Sequence, residues 1–176
     1  FAGGAATGEL SAEQVARAGA TYVLIGHSER RHKMGETDQQ VAEQLQAAIA
    51  AGLIPVLCIG ETADELETEQ TKDRLRAQLA TVDTLADDAT YMVAYEPVWA
   101  ITGSGSGKNC VPEQAAAMHQ YIKQIVGERI PVLYGGSVTA ENVVSYTSLP
   151  AIDGVLVGSA STTIDSFEAI ITAVGS

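Results

Sequence analysis

Five short, almost wholly apolar runs recur along these 176 residues, and they constrain the fold more than any other feature. They read YVLI at 22–25, IPVLCI at 54–59, YMVAY at 91–95, IPVLY at 130–134 and VLV at 155–157. Runs this short, rich in Val, Ile and Leu, suit strands buried on both faces of a parallel sheet. Parallel neighbours need long crossovers, and the stretches between the runs carry helix signals. Ser11 with Gln14, and Thr37 with Gln40, have the spacing of capping boxes. Val41, Leu45, Ala48 and Ile49 then share one stripe, and Leu75, Leu79 and Val82 another. Pro112 suits a first helical position, ahead of Ala115, Met118, Ile122 and Ile125 on one face. Phe167, Ile170, Ile171 and Val174 make a terminal stripe, and 142–146 is a shorter helical candidate. A helix followed by five strand–helix units is the order of an α/β fold with a parallel sheet, read here as one domain over 1–176.

Charge and cysteine usage narrow the partners. With 10 Lys and Arg against 22 Asp and Glu, the net charge of -12 disfavours nucleic acid and anionic membrane. A small phosphate ligand stays compatible, because backbone N–H groups at helix N-termini hold phosphate without a basic patch. No apolar run is long enough to span a membrane. Cys58 lies in an apolar run and Cys110 among loop residues; neither belongs to a CxxC pair or ligand cluster. They read as a buried thiol and a loop thiol in a reducing, cytosolic setting. The chain opens on Phe1, and FAGGAATGE reads as the inside of a loop, so the expectation is a chain without its N-terminal part.

Polar residues gather where the strands end, in GHSERR, GETA, YEPVW, YGGS and GSAS. The C-terminal strand edge is the working face both of a β/α barrel and of a doubly wound sheet. His27 follows the first run. On position alone it reads equally as a structural ring bonded to a backbone carbonyl or as a donor to a substrate carbonyl. A helix starting just after it would keep the ring neutral. Glu96 ends the third run among Tyr95, Val98 and Trp99, whose bulk would desolvate its carboxylate and make it a better base. The bland alternative is a solvated loop acid. Gly135, Gly136 and Ser137, then Gly158 and Ser159, follow the last two runs, where small residues let amides approach an anion. The tempting GSGSGK at 103–108 fails both nucleotide patterns. Thr102 and Asn109 stand where a P-loop needs Gly and Ser/Thr, and Lys108 stands where a dinucleotide loop needs Gly. Arg30 and Arg31 beside Glu29 read as ion pairs.

Several of these segments together resemble the triosephosphate isomerase family. IGHSERR at 25–31, CIGET at 58–62, AYEPVWAI at 94–101, LYGGSV at 133–138 and DGVLVG at 153–158 occur in that family's order and roughly its spacing. TGE at 7–9 and GET at 35–37 fit as well. The resemblance covers essentially the whole chain. It implies a (β/α)8 barrel, of which about five C-terminal strand–helix units are present. It implies interconversion of dihydroxyacetone phosphate and D-glyceraldehyde 3-phosphate, with no metal and no organic cofactor. Glu96 would be the base and His27 the neutral donor to the carbonyl; these are the family's established roles, not ones read from spacing. Ser28 would hold the resting Glu96, and Glu29 would support the site electrostatically. Cys58 would pack behind it. Gly136, Ser137, Gly158 and Ser159 would line the phosphate end. Gly105 aligns with the lid glycine that contacts phosphate, with Gly103 as its rival.

Three departures qualify the resemblance. A family barrel has eight strands and about 250 residues, and its first strand carries an Asn and a catalytic Lys. No residue of this chain matches either one, so the 176 residues alone are expected to be inactive. Five strands also leave two open sheet edges. The lid reads WAITGSGSGK, three residues longer than the family's pattern, and longer loops cost more entropy to close. Ser159 replaces the second glycine after the last strand, and Ala6 stands where an aromatic residue is usual, in a loop that reaches the partner subunit. The resemblance therefore implies a homodimer with an altered contact. A non-catalytic relative, or a structural piece of a phosphosugar-binding barrel, is the alternative reading.

Overall fold

The computed structural model describes residues 7–101 and 109–175. The readings that rest on Ala6, Gly103 and Gly105 lie outside the described residues. In chain order the elements are α1 (Ala12–Arg17), β1 (Tyr22–Ile25), α2 (Ser28–Met34), α3 (Asp38–Ala50), β2 (Ile54–Ile59), α4 (Ala63–Glu67) and α5 (Thr71–Leu79). They continue with β3 (Met92–Tyr95), α6 (Pro112–Val126), β4 (Val132–Tyr134), α7 (Val143–Thr147), β5 (Gly154–Val155) and α8 (Ile164–Gly175). Both expected capping boxes form, and Thr62 with Glu65 makes a third at the start of α4.

The five strands are parallel and lie in sequential order, β1 to β5. Among the described strands that order has no reversal and so no switch point, which speaks against the doubly wound alternative. Strand alternation then sorts the side chains. Leu57, Ile59, Val93, Tyr95, Val132 and Tyr134 face the helices and join the main core. Val56, Cys58 and Ala94 face the other way, in a small second cluster with Met92, Leu133 and Leu156. Two residues beyond Ala94, the same face receives Glu96.

The strand ends differ from expectation. β3 begins at Met92, not Tyr91, and β4 at Val132, just after Pro131, which has no N–H to donate although its carbonyl accepts from Val93. β5 covers only Gly154–Val155, not VLV. It has a single neighbour, and the chain leaves the ladder after Leu156 N–H reaches the Tyr134 carbonyl. The terminal apolar stripe is only partly used. Ile170 is buried, while Phe167, Ile171 and Val174 are exposed at 41%, 58% and 50%. Helix α8 packs chiefly on α7 and the Ser159–Ser161 turn. Ile125 likewise stays exposed on α6. Cys110 is buried at the foot of α6, not a surface loop thiol.

His119 on α6 is fully buried and edge-on to Tyr95, with no well-aligned hydrogen bond to either ring nitrogen among the described residues. Burial pushes its pKa down to about 4 from 6.5. The unfolded chain therefore takes up a proton below pH 6.5 that the folded chain refuses until about pH 4. Stability is expected to fall by about 3 kcal/mol across that window, at about 1.4 kcal/mol per pH unit. Urea unfolding of His119→Phe at pH 7 and pH 4.5 checks this. The variant should lose less stability on acidification than the parent sequence; an equal loss would refute the assignment.

Candidate active site

The strand exits converge on a cleft of about 140 Å³ whose lining includes His27, Glu96, Gly136, Ser137, Gly158 and Ser159. A larger groove of about 800 Å³ lies along α3, with Glu9, Arg30 and Met34 also in its lining, but it holds no histidine and no nucleophile. The small cleft carries the chemistry.

Glu96 is 3% exposed although it is a carboxylate. Register explains how room is made for it. Ile59 pairs with Tyr95, and Tyr95 pairs with Tyr134, so Gly60 and Gly135 come next on either side of Glu96. A Cβ on Gly60 would lie 1.8 Å from the Glu96 carbonyl oxygen, and one on Gly135 would lie 2.7 Å from its Cγ. Behind the carboxylate the packing leaves only about 10 Å³, walled in part by Arg31, Cys58 and Gln78. Burial pushes the Glu96 carboxyl above the ordinary carboxylate range; His27, the Ser28 amide, Cys58 and Arg31 offset this only in part.

His27 caps α2. Its Nδ1 accepts from the Glu29 amide at 3.3 Å, which leaves Nε2 as the N–H donor of a neutral ring. That Nε2 lies 3.4 Å from Glu96 Oε1, facing the cleft. The other carboxylate oxygen receives the buried Ser28 backbone N–H at 3.4 Å, so the amide of Ser28 meets Glu96. A buried carboxylate beside a neutral N–H donor, with glycine-rich turns across the cleft, can remove a proton from carbon next to a polarised carbonyl.

Other expected site residues are placed differently. The Glu29 side chain is 60% exposed and pairs with Lys33 at 2.6 Å, so it is not brought into the cleft. Its hydrogen bond with Lys33 holds the Glu29 carboxyl below its ordinary range. Ser137 lines the cleft, but its amide donates to the Ala100 carbonyl at 3.1 Å. Ser159 opens a 3-10 turn at the end of the cleft, where first amides lack a partner within their own turn. Arg30 pairs with Glu36 at 2.8 Å and with Glu9 at 3.3 Å, and the buried Arg31 pairs with Asp38 and donates to the Gly26 carbonyl. Among the described residues, no group of three or more His, Cys, Asp or Glu is placed to hold a metal ion.

Two residues that support the site are invisible as such in sequence. Glu61 is buried and accepts from Trp99 Nε1 at 2.7 Å and from the Tyr95 hydroxyl at 3.1 Å. Burial raises its carboxyl above the ordinary range. The pair holds the turn after Glu96; the only hint was a polar GETA exit beside a tryptophan one strand away. Gln78, buried on α5, clasps both backbone groups of Gly60, at 2.9 and 3.2 Å. Nothing in its helical stripe signals that task.

The triosephosphate isomerase family model matches residues 1–174. The chain is 46% identical over 177 residues to "Triosephosphate isomerase" of Chlamydia muridarum, covering 96% of this chain and 64% of that relative. Identity to the protein of the same name from Geobacter metallireducens is 48% over 179 residues, covering 96% and 70%. With that of Halorhodospira halophila it is 45% over 181 residues, covering 97% and 72%. The chain thus spans about two thirds of the length of these curated relatives. Among the described residues, no helix is long and apolar enough to cross a membrane. A parallel run of five consecutive barrel staves, matched in sequence over nearly every residue, makes this chain a member of the triosephosphate isomerase family.

Proposed function

We propose that the protein carrying this sequence interconverts dihydroxyacetone phosphate and D-glyceraldehyde 3-phosphate through an enediol(ate). The observation that supports this best is Glu96, buried between two glycines and 3.4 Å from a neutral His27 Nε2 in one cleft with Gly136, Gly158 and Ser159. In this reading Glu96 takes the proton from the carbon beside the carbonyl. The C–H electron pair becomes the new C=C bond, and the charge that develops on oxygen meets the Nε2–H of His27. Glu96 then returns the proton to the neighbouring carbon, while the hydroxyl proton on the first carbon's oxygen passes by way of His27 to the former carbonyl oxygen, so the C=C pair forms the new C–H bond and the O–H pair the new carbonyl. The Ser28 amide holds the resting carboxylate. Gly105, Gly136, Ser137, Gly158 and Ser159 take the phosphate end, and Glu29 acts only as a distant charge. The working form is a cytoplasmic homodimer.

The reaction also calls for the Asn and Lys that the family carries on its first strand, and these 176 residues supply neither. The expected result of a coupled isomerase assay is turnover by the protein with that strand present, and less than about a thousandth of it by the 176 residues alone. Comparable turnover by the short chain would sink the claim about the piece. No turnover by the longer protein would sink the isomerase reading in favour of a non-catalytic relative.

A further inference from the structure

Tyr134 ends β4 with its ring fully buried on the helix side of the sheet. Its hydroxyl lies directly beneath the next turn, because a Cβ built on Gly136 would sit 2.1 Å from it. No well-aligned hydrogen bond among the described residues fixes the ring, although the Tyr146 hydroxyl and the Cys110 thiol lie close to its hydroxyl. Packing does. Tyr146, from α7, stacks on Tyr134 with centroids 4.2 Å apart and 14° between the planes. The Tyr146 hydroxyl donates to the Cys110 carbonyl at 2.6 Å. Cys110 is buried just before α6, and its neighbourhood includes the Tyr134 hydroxyl. One side chain thus touches the floor of the Gly135–Gly136–Ser137 turn and the backbone that leads into α6.

We propose that Tyr146 is a positioning residue for the phosphate end of the cleft: its ring holds Tyr134 under Gly136, and its hydroxyl holds the chain at Cys110. The inference rests on reading that cleft as a triose phosphate site. It needs no contact between Tyr146 and substrate. A floor that drifts loosens the amides above it, and those amides grip a group that does not react. The effect therefore falls on binding more than on the chemical step.

Two substitutions separate the two contacts. Tyr146→Phe keeps the stack and deletes the hydrogen bond; Tyr146→Leu deletes both. In the 176-residue chain, alkylation by iodoacetamide, resolved by peptide mass, reads each thiol separately. Cys58, buried on the opposite face of the sheet, is the internal reference. Tyr146→Phe is expected to speed Cys110 alkylation about tenfold, the effect of losing one buried hydrogen bond on a local opening, and to leave Cys58 within twofold. No change at Cys110, or equal acceleration of both thiols, overturns the proposal. In the longer protein, Tyr146→Phe is expected to raise KM about fivefold with kcat within twofold, and Tyr146→Leu to raise it further. An unchanged KM, or a fall in kcat alone, also overturns it. Glu96→Gln in the same assay tests the isomerase reading separately. If that variant stays active, the reading fails, while the thiol rates still decide whether Tyr146 holds Cys110.

Discussion

Replacing Glu96 with Gln is expected to lower turnover of the longer protein by about 10³-fold while making the fold more stable at neutral pH. Gln keeps the shape and one acceptor oxygen but takes no proton from carbon. The stability gain follows from the direction of the Glu96 shift. Burial raises its carboxyl above the ordinary range in the folded chain. Between the unfolded and folded pKa values, the folded state binds a proton that the unfolded state has released. The group's contribution to stability therefore declines as pH rises through that window. Above it, the charged carboxylate stays buried at full desolvation cost, offset only in part by His27, the Ser28 amide, Cys58 and Arg31. Urea unfolding at pH 4 and pH 7 measures this. The variant should gain most at pH 7 and little at pH 4. A variant less stable than its parent at pH 7 would show that Glu96 is not held against its solvation preference.

Gly60→Ala is expected to cost about 4 kcal/mol, a large share of the stability of an ordinary chain. The new methyl would meet the Glu96 carbonyl oxygen at 1.8 Å and its carbonyl carbon at 2.5 Å. Both are backbone atoms, and neither can rotate away. Nor can Gly60 retreat, because Gln78 clasps its N–H and carbonyl from behind. Gly135→Ala is the informative companion. Its methyl would meet the Glu96 Cγ at 2.7 Å, and a side chain can swing aside. That variant should fold yet lose about 10²-fold in turnover, because a base displaced by about 1 Å no longer meets its proton. Denaturant unfolding and isomerase assays on the pair distinguish the two outcomes. A soluble, fully stable Gly60→Ala protein would overturn the account of how the strands make room for the base.

The small bright spots of the sequence were local ones. Capping boxes at Ser11 and Thr37, Pro112 at a helix start and the runs at 22–25 and 54–59 each depend on neighbours a few residues away, and all of them form. The motifs GHSERR and AYEPVWA identified the family in the same way, as contiguous text. Strand ends were less legible: β5 stops two residues early, where the chain leaves the ladder after the Leu156 N–H reaches the Tyr134 carbonyl. The apolar stripe of α8 announced a helix but not its burial, since burial depends on what lies across from it.

By itself, then, the sequence determined the α/β class, the parallel strands, the helix starts and the carboxylate and imidazole at two strand exits. These follow from periods of 2 and 3.6, which repeat within a few residues. Only the tertiary structure decided which strands are neighbours, and everything at the site depends on that choice. Sequential pairing brings Gly60 and Gly135 alongside Glu96, sets His27 Nε2 3.4 Å from a carboxylate 69 positions away and turns Glu29 out to solvent. It also gives Glu61, Gln78 and Tyr146 tasks that no local pattern encodes. Hydrogen bonds and steric limits act through space, so a residue's role is fixed by what the fold sets beside it, and strand order is the longest-range choice the chain makes.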